Sequence, residues 1–415
     1  MKRGGLVVCS ELPPARSGAA VAGDALVRLL RRSGYRRIRA DWPLLEAIEA
    51  HLAAADLPVY HLSNDLEERE IYELAISWPG LVILHDLAID RLVLGLIRAR
   101  DPLGVEGGRE ALAAASKVAP LVPEGPLSVP WCAHLVRRAR GVVVHSAFGA
   151  RYLEAMGCRT PVFVAPHPRA ADPWGTRRVR REALRLRRRL GVPRVVGVVG
   201  ELGPEMQVPV ILETAARLDA HPVVVGRRVA GYDIGAEVRS LAGDRATVVP
   251  DPRPSEAAAW VGACDLVLDV RTPSRGEVSG LLVRALQLGV PVAVGPVGSH
   301  LDWPHEAILR LGERSLSVPD LARALRPLIR EPETRARLAA RGRAAAARMA
   351  AEAQAAYREA VDRTRSLVLD PVRWSLARWG RSLHDVGVDR PGASVGYGRD
   401  YASALAELAG SPWER

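Results

Sequence analysis

A histidine beside an aspartate at the end of an apolar run is the arrangement in this chain best suited to chemistry. Leu81-Val82-Ile83-Leu84 reads as a strand, and His85-Asp86 follow at once, setting an imidazole of near-neutral pKa beside a carboxylate at the strand's carboxyl edge. Such a histidine can position or deprotonate a hydroxyl, or stabilise a developing charge. A structural imidazole satisfied by the fold is the competing explanation. His145-Ser146 ends the run Val142 to Val144, and His145 is a candidate to line the same cleft. Pro166-His167-Pro168 reads as mechanical: two prolines stiffen the exit from a domain and His167 caps it.

Two further segments suit anions. The first apolar run, Leu6 to Cys9, leads through Glu11 and Pro13-Pro14 to Ser17-Gly18, where a helix begins near Ala19. A glycine there lets backbone amides approach a ligand at a helix start, although a tight loop without a ligand would have the same composition. The second segment runs from Asp269 to Gly280 and opens a helix over Leu281 to Leu288. Gly276, Ser279 and Gly280 would free amides for a diphosphate, Arg271 and Arg275 would supply charge, and Glu277 could accept from sugar or ribose hydroxyls.

These residues need elements to position them. Short apolar runs alternate with longer amphipathic stretches, which predicts βα units around parallel sheets. One set of strands is expected at Leu6–Cys9, Val59–Leu62, Leu81–Leu84, Val142–Val144 and Val162–Ala165. A second is expected at Val195–Val199, Pro222–Val225, Ala246–Val249, Leu266–Val270 and Val290–Val294. The arginine-rich stretch Asp172 to Arg189 joins them, and its only regular spacing is helical. The expected organisation is a first Rossmann-like domain over 1–171, a second over 172–365, and a helical segment over 366–415 that packs back on the first. Beyond Pro332 the spacing is helical through Asp362, with further helical stretches around Trp374, Trp379 and Leu383 and from Tyr401 to Leu408.

At 415 residues the chain exceeds what one core usually serves, and its balance of 48% hydrophobic and 25% charged residues is that of a globular protein. The net charge of +11 comes mostly from arginine, which suits phosphate and carboxylate partners and also follows from a GC-rich coding bias. Cys9, Cys132, Cys158 and Cys264 lie far apart with no CxxC pair, so neither a zinc site nor a disulfide framework is signalled. No apolar run is long enough for a signal-peptide core or a membrane span, and a reducing cytoplasm is the expected location. The basic linker and tail would allow weak, salt-sensitive contact with an anionic membrane. No nucleic-acid partner is expected.

The order of the motifs resembles bacterial family 4 glycosyltransferases, retaining enzymes of GT-B architecture. The resemblance is carried by Pro13-Pro14 to Ser17-Gly18, Tyr60-His61-Leu62-Ser63-Asn64, Ile71-Tyr72-Glu73-Leu74-Ala75, Pro79 to Asp86, Val143-Val144-His145-Ser146, Pro166-His167-Pro168 and Gly276-Glu277-Val278-Ser279-Gly280. It spans about residues 5 to 360, in the correct order. It implies two Rossmann-like α/β domains facing a central cleft. The implied reaction moves a sugar from a nucleotide diphosphate donor to a hydroxyl of a polysaccharide, lipid-linked glycan or small metabolite, with retention of configuration and without a metal or other cofactor. Gly200, Arg271, Arg275, Gly276, Glu277, Ser279 and Gly280 would then serve the donor, and Ser17, Gly18, Asn64, Asp86 and His145 the acceptor. His85 and Glu277 would act at the reacting centre.

The chain departs from the family at Met206, where relatives carry a phosphate-binding lysine, and at Arg284, where they carry the second of two paired glutamates. Glu68 stands where a histidine is expected, and Asp90-Arg91 replaces a common histidine pair. A degenerate homologue that binds a nucleotide or scaffolds another glycosyltransferase, and a nucleotide-sugar epimerase, are the alternatives.

Overall fold

In the computed structural model the described residues are 5–15, 17–35, 38–39, 57–171, 176–229, 231–312 and 317–367. They form two six-stranded sheets, every pair of neighbours parallel. The first contains β1 (Leu6–Cys9), β2 (Ile38–Arg39), β3 (Leu57–Leu62), β4 (Leu81–Leu84), β5 (Gly141–Val144) and β6 (Val162–Val164), in the order β2-β1-β3-β4-β5-β6. The second contains β7 (Val195–Leu202), β8 (His221–Arg228), β9 (Thr247–Pro250), β10 (Leu266–Asp269), β11 (Val292–Val294) and β12 (Leu309–Arg310), in the order β12-β11-β10-β7-β8-β9.

Strands β1, β3, β4, β5 and β10 are buried along their whole length, as predominantly apolar runs rich in Val and Leu require when helices cover both faces of a sheet. The ten strands expected from the sequence are all present. The additional β2 and β12 are two-residue edge strands, too short to leave a period. The arginine-rich stretch is helical over Thr176–Leu190. The stretches around Trp374, Trp379 and Leu383 and from Tyr401 to Leu408 lie outside the described residues.

Helix starts at the carboxyl edges are fixed by side chains. Ser17, Ser146 and Ser279 each cap a helix that follows a strand end, accepting from the amides of Ala20 (2.8 Å), Gly149 (3.1 Å) and Leu282 (3.4 Å). Each cap satisfies one of the amides that a helix start leaves open. In both sheets the strand order reverses next to the first strand, between β1 and its two neighbours and between β7 and β10, and such switch points are where open α/β sheets bind ligands.

The 35-residue helix Pro332–Ser366 joins the two halves. At about 1.5 Å per residue it is roughly 50 Å long. Ala345 and Ala346 pack in the second lobe beside Leu286 and Trp303. Ala353, Tyr357, Ala360 and Val361 pack in the first, against Leu6, Val8, Leu26 and Leu57. The return onto the first lobe therefore begins within this helix, at Ala353.

Candidate active site in the cleft between the lobes

The carboxyl edges of the two sheets face each other across a cavity of about 480 Å³. Of the residues singled out from the sequence, His85, Asp86, Ser17, Gly18 and Asn64 lie on its first-lobe wall, and Gly200, Arg271, Arg275, Glu277, Ser279 and Gly280 on its second-lobe wall.

Two expected residues do not line it. His145 stands behind the wall: its ring centroid is 6.3 Å from that of His85 and 5.3 Å from that of His167, and its Nδ1 donates to the carbonyl of Ala165 at 3.1 Å. Its position one residue after β5 puts the ring under its neighbours rather than on the acceptor. Gly276, at φ +80°, gives its amide to Ser274 Oγ (3.0 Å) and lies against the other lobe, where an added Cβ would be 2.6 Å from Leu87 Cδ1. It is the place where the lobes touch, and its amide is not free for a diphosphate.

The donor-side loop is a closed set of charges. Arg271 forks onto Asp269, with Nε to Oδ1 at 2.6 Å and Nη2 to Oδ2, and reaches Glu277 with Nη1 at 2.6 Å. The other Glu277 oxygen accepts from the amide of Arg275 (2.7 Å) and from Ser274 Oγ (3.2 Å). Burial opposes ionisation of Glu277, but Arg271 beside it holds the carboxyl below the usual range. At the start of helix Gly280–Leu288, Ser279 takes the amide of Leu282, and the amides of Gly280 and Leu281 have no partner among the described residues. Both residues are on the cavity wall, and open amides at a helix N-terminus suit an anion. Met206 lines the cavity but is only 1% exposed, its methyl 3.5 Å from where a Cβ on Gly200 would stand, so its thioether packs beneath the loop and brings no charge to it. Arg284 is buried within the same helix and does not reach the wall.

On the opposite wall the imidazoles are held neutral. His85 packs against His61 (5.8 Å between centroids) and His167 (5.2 Å) as well as His145. Burial pushes His85 down to about 4 and His145 to about 3, and burial with neighbouring histidines holds His61 and His167 well below the ordinary value. Asp86 accepts from the amide of Asn64 at 3.0 Å, and burial, reinforced by Glu277, pushes its carboxyl up to about 8. Asn64 is committed to structure: its Oδ1 takes the amides of Arg91 (2.8 Å) and Leu92 (3.3 Å), capping helix Asp90–Arg98, and its Nδ2 donates to Asp90 (2.9 Å). Glu68 is fully buried, gives one oxygen to the amide of Ser63 and is pushed up to about 8 by burial.

Sequence reading missed the ion pairs that cross the cleft. Arg91 bonds Glu201 (3.1 Å) and Glu205 (3.0 Å), Arg227 bonds Asp65 (3.0 Å), and Arg275 bonds Asp90 (3.0 Å), while the Arg275 carbonyl accepts from the amides of Leu87 and Ala88. No local spacing announces such pairs, because their members are 110 to 185 residues apart in the chain, joining one lobe to the other. His167 was also undervalued: it is fully buried on the wall, with Nδ1 accepting from the amide of Arg169 at 3.2 Å. Its flanking prolines disguised it as a cap.

Among the described residues, Glu106, Glu110 and His134 have the mutual spacing of metal ligands. Arg138 bonds both glutamates (2.7 and 2.9 Å) and Arg137 bonds Glu110 (2.9 Å), so guanidinium charge already occupies the place of a cation.

No protein-family model and no curated protein matches the chain. Among solved structures, it is similar to Anabaena HepE in complex with UDP and glucose, at 15% identity and a TM-score of 0.57, covering 87% of this chain and 98% of that one. It is similar to sucrose-phosphate synthase from Thermosynechococcus elongatus at 16% identity and a TM-score of 0.58, covering 93% and 100%. An E. coli trehalose-6-phosphate protein bound with UDP-2-fluoro glucose follows at 10% identity and 0.52, covering 88% and 99%. The chain has the GT-B glycosyltransferase fold. Within that fold the cavity occupies the cleft between the two Rossmann-like lobes, with both switch points opening onto it.

Proposed function

We propose that the protein is a retaining glycosyltransferase that moves a sugar from a nucleoside diphosphate sugar to a hydroxyl acceptor. The observation that carries this reading is the open N-terminus of helix Gly280–Leu288, with Arg271 and Glu277 beside it, set across a single cavity from His85 and Asp86. The donor's diphosphate would meet the amides of Gly280 and Leu281, and its sugar would lie toward His85. In the transfer step the bond from the anomeric carbon to the phosphate oxygen breaks, the leaving diphosphate keeps the electron pair and takes the acceptor's proton, and the acceptor oxygen bonds the anomeric carbon on the same face. A neutral His85 orients a hydroxyl without competing for that proton, and fixed donors at the leaving oxygen stabilise the charge as it develops. Arginines and helix amides meet the diphosphate charge in this scheme, with no metal ion or cofactor assigned. Nucleotide sugars would place the reaction in the cytoplasm, and no described helix is long and apolar enough to cross a membrane.

A second reading has its own support. Arg91, Arg227, Arg271 and Arg275 are each already paired with carboxylates, and Met206 supplies no charge, which is what a degenerate homologue that holds a nucleotide without turnover would display. Calorimetry and thermal melts against UDP, GDP and ADP and their sugars separate the outcomes, because a ligand of the native state raises the melting temperature. The transfer reading expects one nucleotide to bind, Arg271→Ala to weaken it at least ten-fold, and its sugar to be consumed when acceptors are added. Binding without consumption supports the degenerate homologue, and no binding at millimolar concentration removes both.

A further inference from the structure

The two walls of the cavity balance their charges differently. On the second-lobe wall every carboxylate has a guanidinium partner: Glu201 with Arg227 (2.9 Å), Glu205 with Arg91 (3.0 Å), Asp251 with Arg228 (2.6 Å) and Glu277 with Arg271 (2.6 Å). On the first-lobe wall Asp65 has Arg227, but Glu11, Asp86 and the exposed Glu67 have no arginine or lysine partner among the described residues. Glu11 accepts from Ser17 Oγ and Asp86 from the amide of Asn64. Behind them Glu68 is fully buried, with Oε1 lacking any partner among the described residues.

Glu11 and Asp86 in the wall and Glu68 behind it, without counter-charge, are costly to ionise away from water. Burial accordingly raises all three, Asp86 and Glu68 to about 8. Around Asp86, Glu277 and Glu201 add negative field, and Arg275 opposes them while itself engaged with Asp90 and Glu205. The Arg91 guanidinium, the basic group nearest in sequence, is spent on the second lobe. Arg169 and His167 both adjoin the start of the donor helix, Arg169 Cδ 2.7 Å and His167 Cε1 3.0 Å from where a Cβ on Gly280 would stand. A second buried group points to a polyol. His167 is fully buried on the wall, and because Nδ1 accepts from the Arg169 amide, Nε2 carries the ring hydrogen and has no partner among the described residues.

We propose that the acceptor is an amine-bearing polyol, its ammonium group taken by Asp86 on the wall it shares with Glu11, and one of its oxygens met by His167. This rests on the sugar-transfer reading and adds the acceptor's class. The ammonium supplies the missing counter-charge and ionises Asp86 on arrival, so binding near neutral pH releases a proton. A phosphorylated acceptor would bring negative charge to the wall that already has it in excess.

The test is calorimetric titration of the full chain with glucosamine, glucose and glucose 6-phosphate, each with and without the nucleotide that raises its melting temperature. Glucosamine is expected to bind at least ten-fold tighter than glucose, glucose 6-phosphate more weakly than either, and the glucosamine heat to vary with the buffer's ionisation enthalpy. Asp86→Asn should erase the preference for the amine, bringing glucosamine and glucose to equal affinity. Should that variant fail to fold, Glu11→Gln is expected to reduce the preference in the same direction. Equal affinity for glucosamine and glucose, tightest binding of glucose 6-phosphate, or a preference that survives in the folded variant would overturn the proposal. Nucleotide binding is scored separately: its loss with the amine preference intact sinks sugar transfer alone, and its presence without the preference sinks the acceptor assignment alone.

Discussion

Two populations of buried titratable residues meet in the cleft and respond to pH with opposite sign. His85 and His145 have folded-state values of about 4 and 3, below the ordinary 6.5, so their contribution to stability is present above about pH 6.5 and is lost as pH falls through those values. Asp86 and Glu68 are raised to about 8, so their contribution is full below their unfolded values and is lost as pH rises through 8. Between pH 6.5 and 8 the acids titrate with the histidines already neutral, and the melting temperature is expected to fall by a few degrees over that interval. Asp86→Asn should flatten this limb; an unaltered slope above pH 6.5 would show that Asp86 is ordinary. At the donor loop, Arg271→Ala removes the partner of both Asp269 and Glu277, so it is expected to lower the melting temperature as well as nucleotide affinity.

At the scale of elements, close approach of backbones shapes the donor wall. Strands β7 and β8 pair in parallel through Gly200 and Gly226, and a Cβ on Gly226 would stand 1.7 Å from the carbonyl oxygen of Gly200. Gly226→Ala must therefore push the strands apart and is expected to cost more than about 3 kcal/mol by denaturant unfolding, the upper end for overpacking. A cost under 1 kcal/mol would mean that the pairing is looser. Ser279→Ala should cost about 1 kcal/mol through the lost cap and should disturb the approach to Gly280 and Leu281. Long buried strands were legible in the sequence because Val-Val-Val and Leu-Val-Ile runs bounded by Gly, Pro or Asp leave little else to form, and the residues at their carboxyl ends, His85 and Asp86 among them, were legible with them. Gly276 and His145 were read as wall residues because a strand end or a glycine turn signals nearness to a ligand and not which way the group faces. The arginine partners across the cleft were hidden, since they depend on how two separately folded sheets face each other.

At the scale of the molecule, ion pairs tie the two lobes together across the cleft. Asp65–Arg227, Arg91–Glu201, Arg91–Glu205 and Arg275–Asp90 cross the cleft, and the Arg275 carbonyl receives two amides from the first lobe. Partly exposed pairs weaken as salt shortens the screening length, to about 3 Å at 1 M. The radius of gyration from small-angle scattering is expected to rise between 0.1 and 1 M salt, and Arg275→Ala should produce the larger value at low salt. A radius independent of both would show that apolar contact such as Leu87 on Gly276 holds the lobes together.

The helix Pro332–Ser366 also sets an order of events during synthesis. The first lobe's strands end at Val164, yet its core is closed by Ala353, Tyr357, Ala360 and Val361. At about 5–20 residues per second, a ribosome would need roughly ten to forty seconds to make the chain between them. During that interval Leu6, Val8, Leu26 and Leu57 lack their cover, so the half of the protein that is made first is the half that is sealed last.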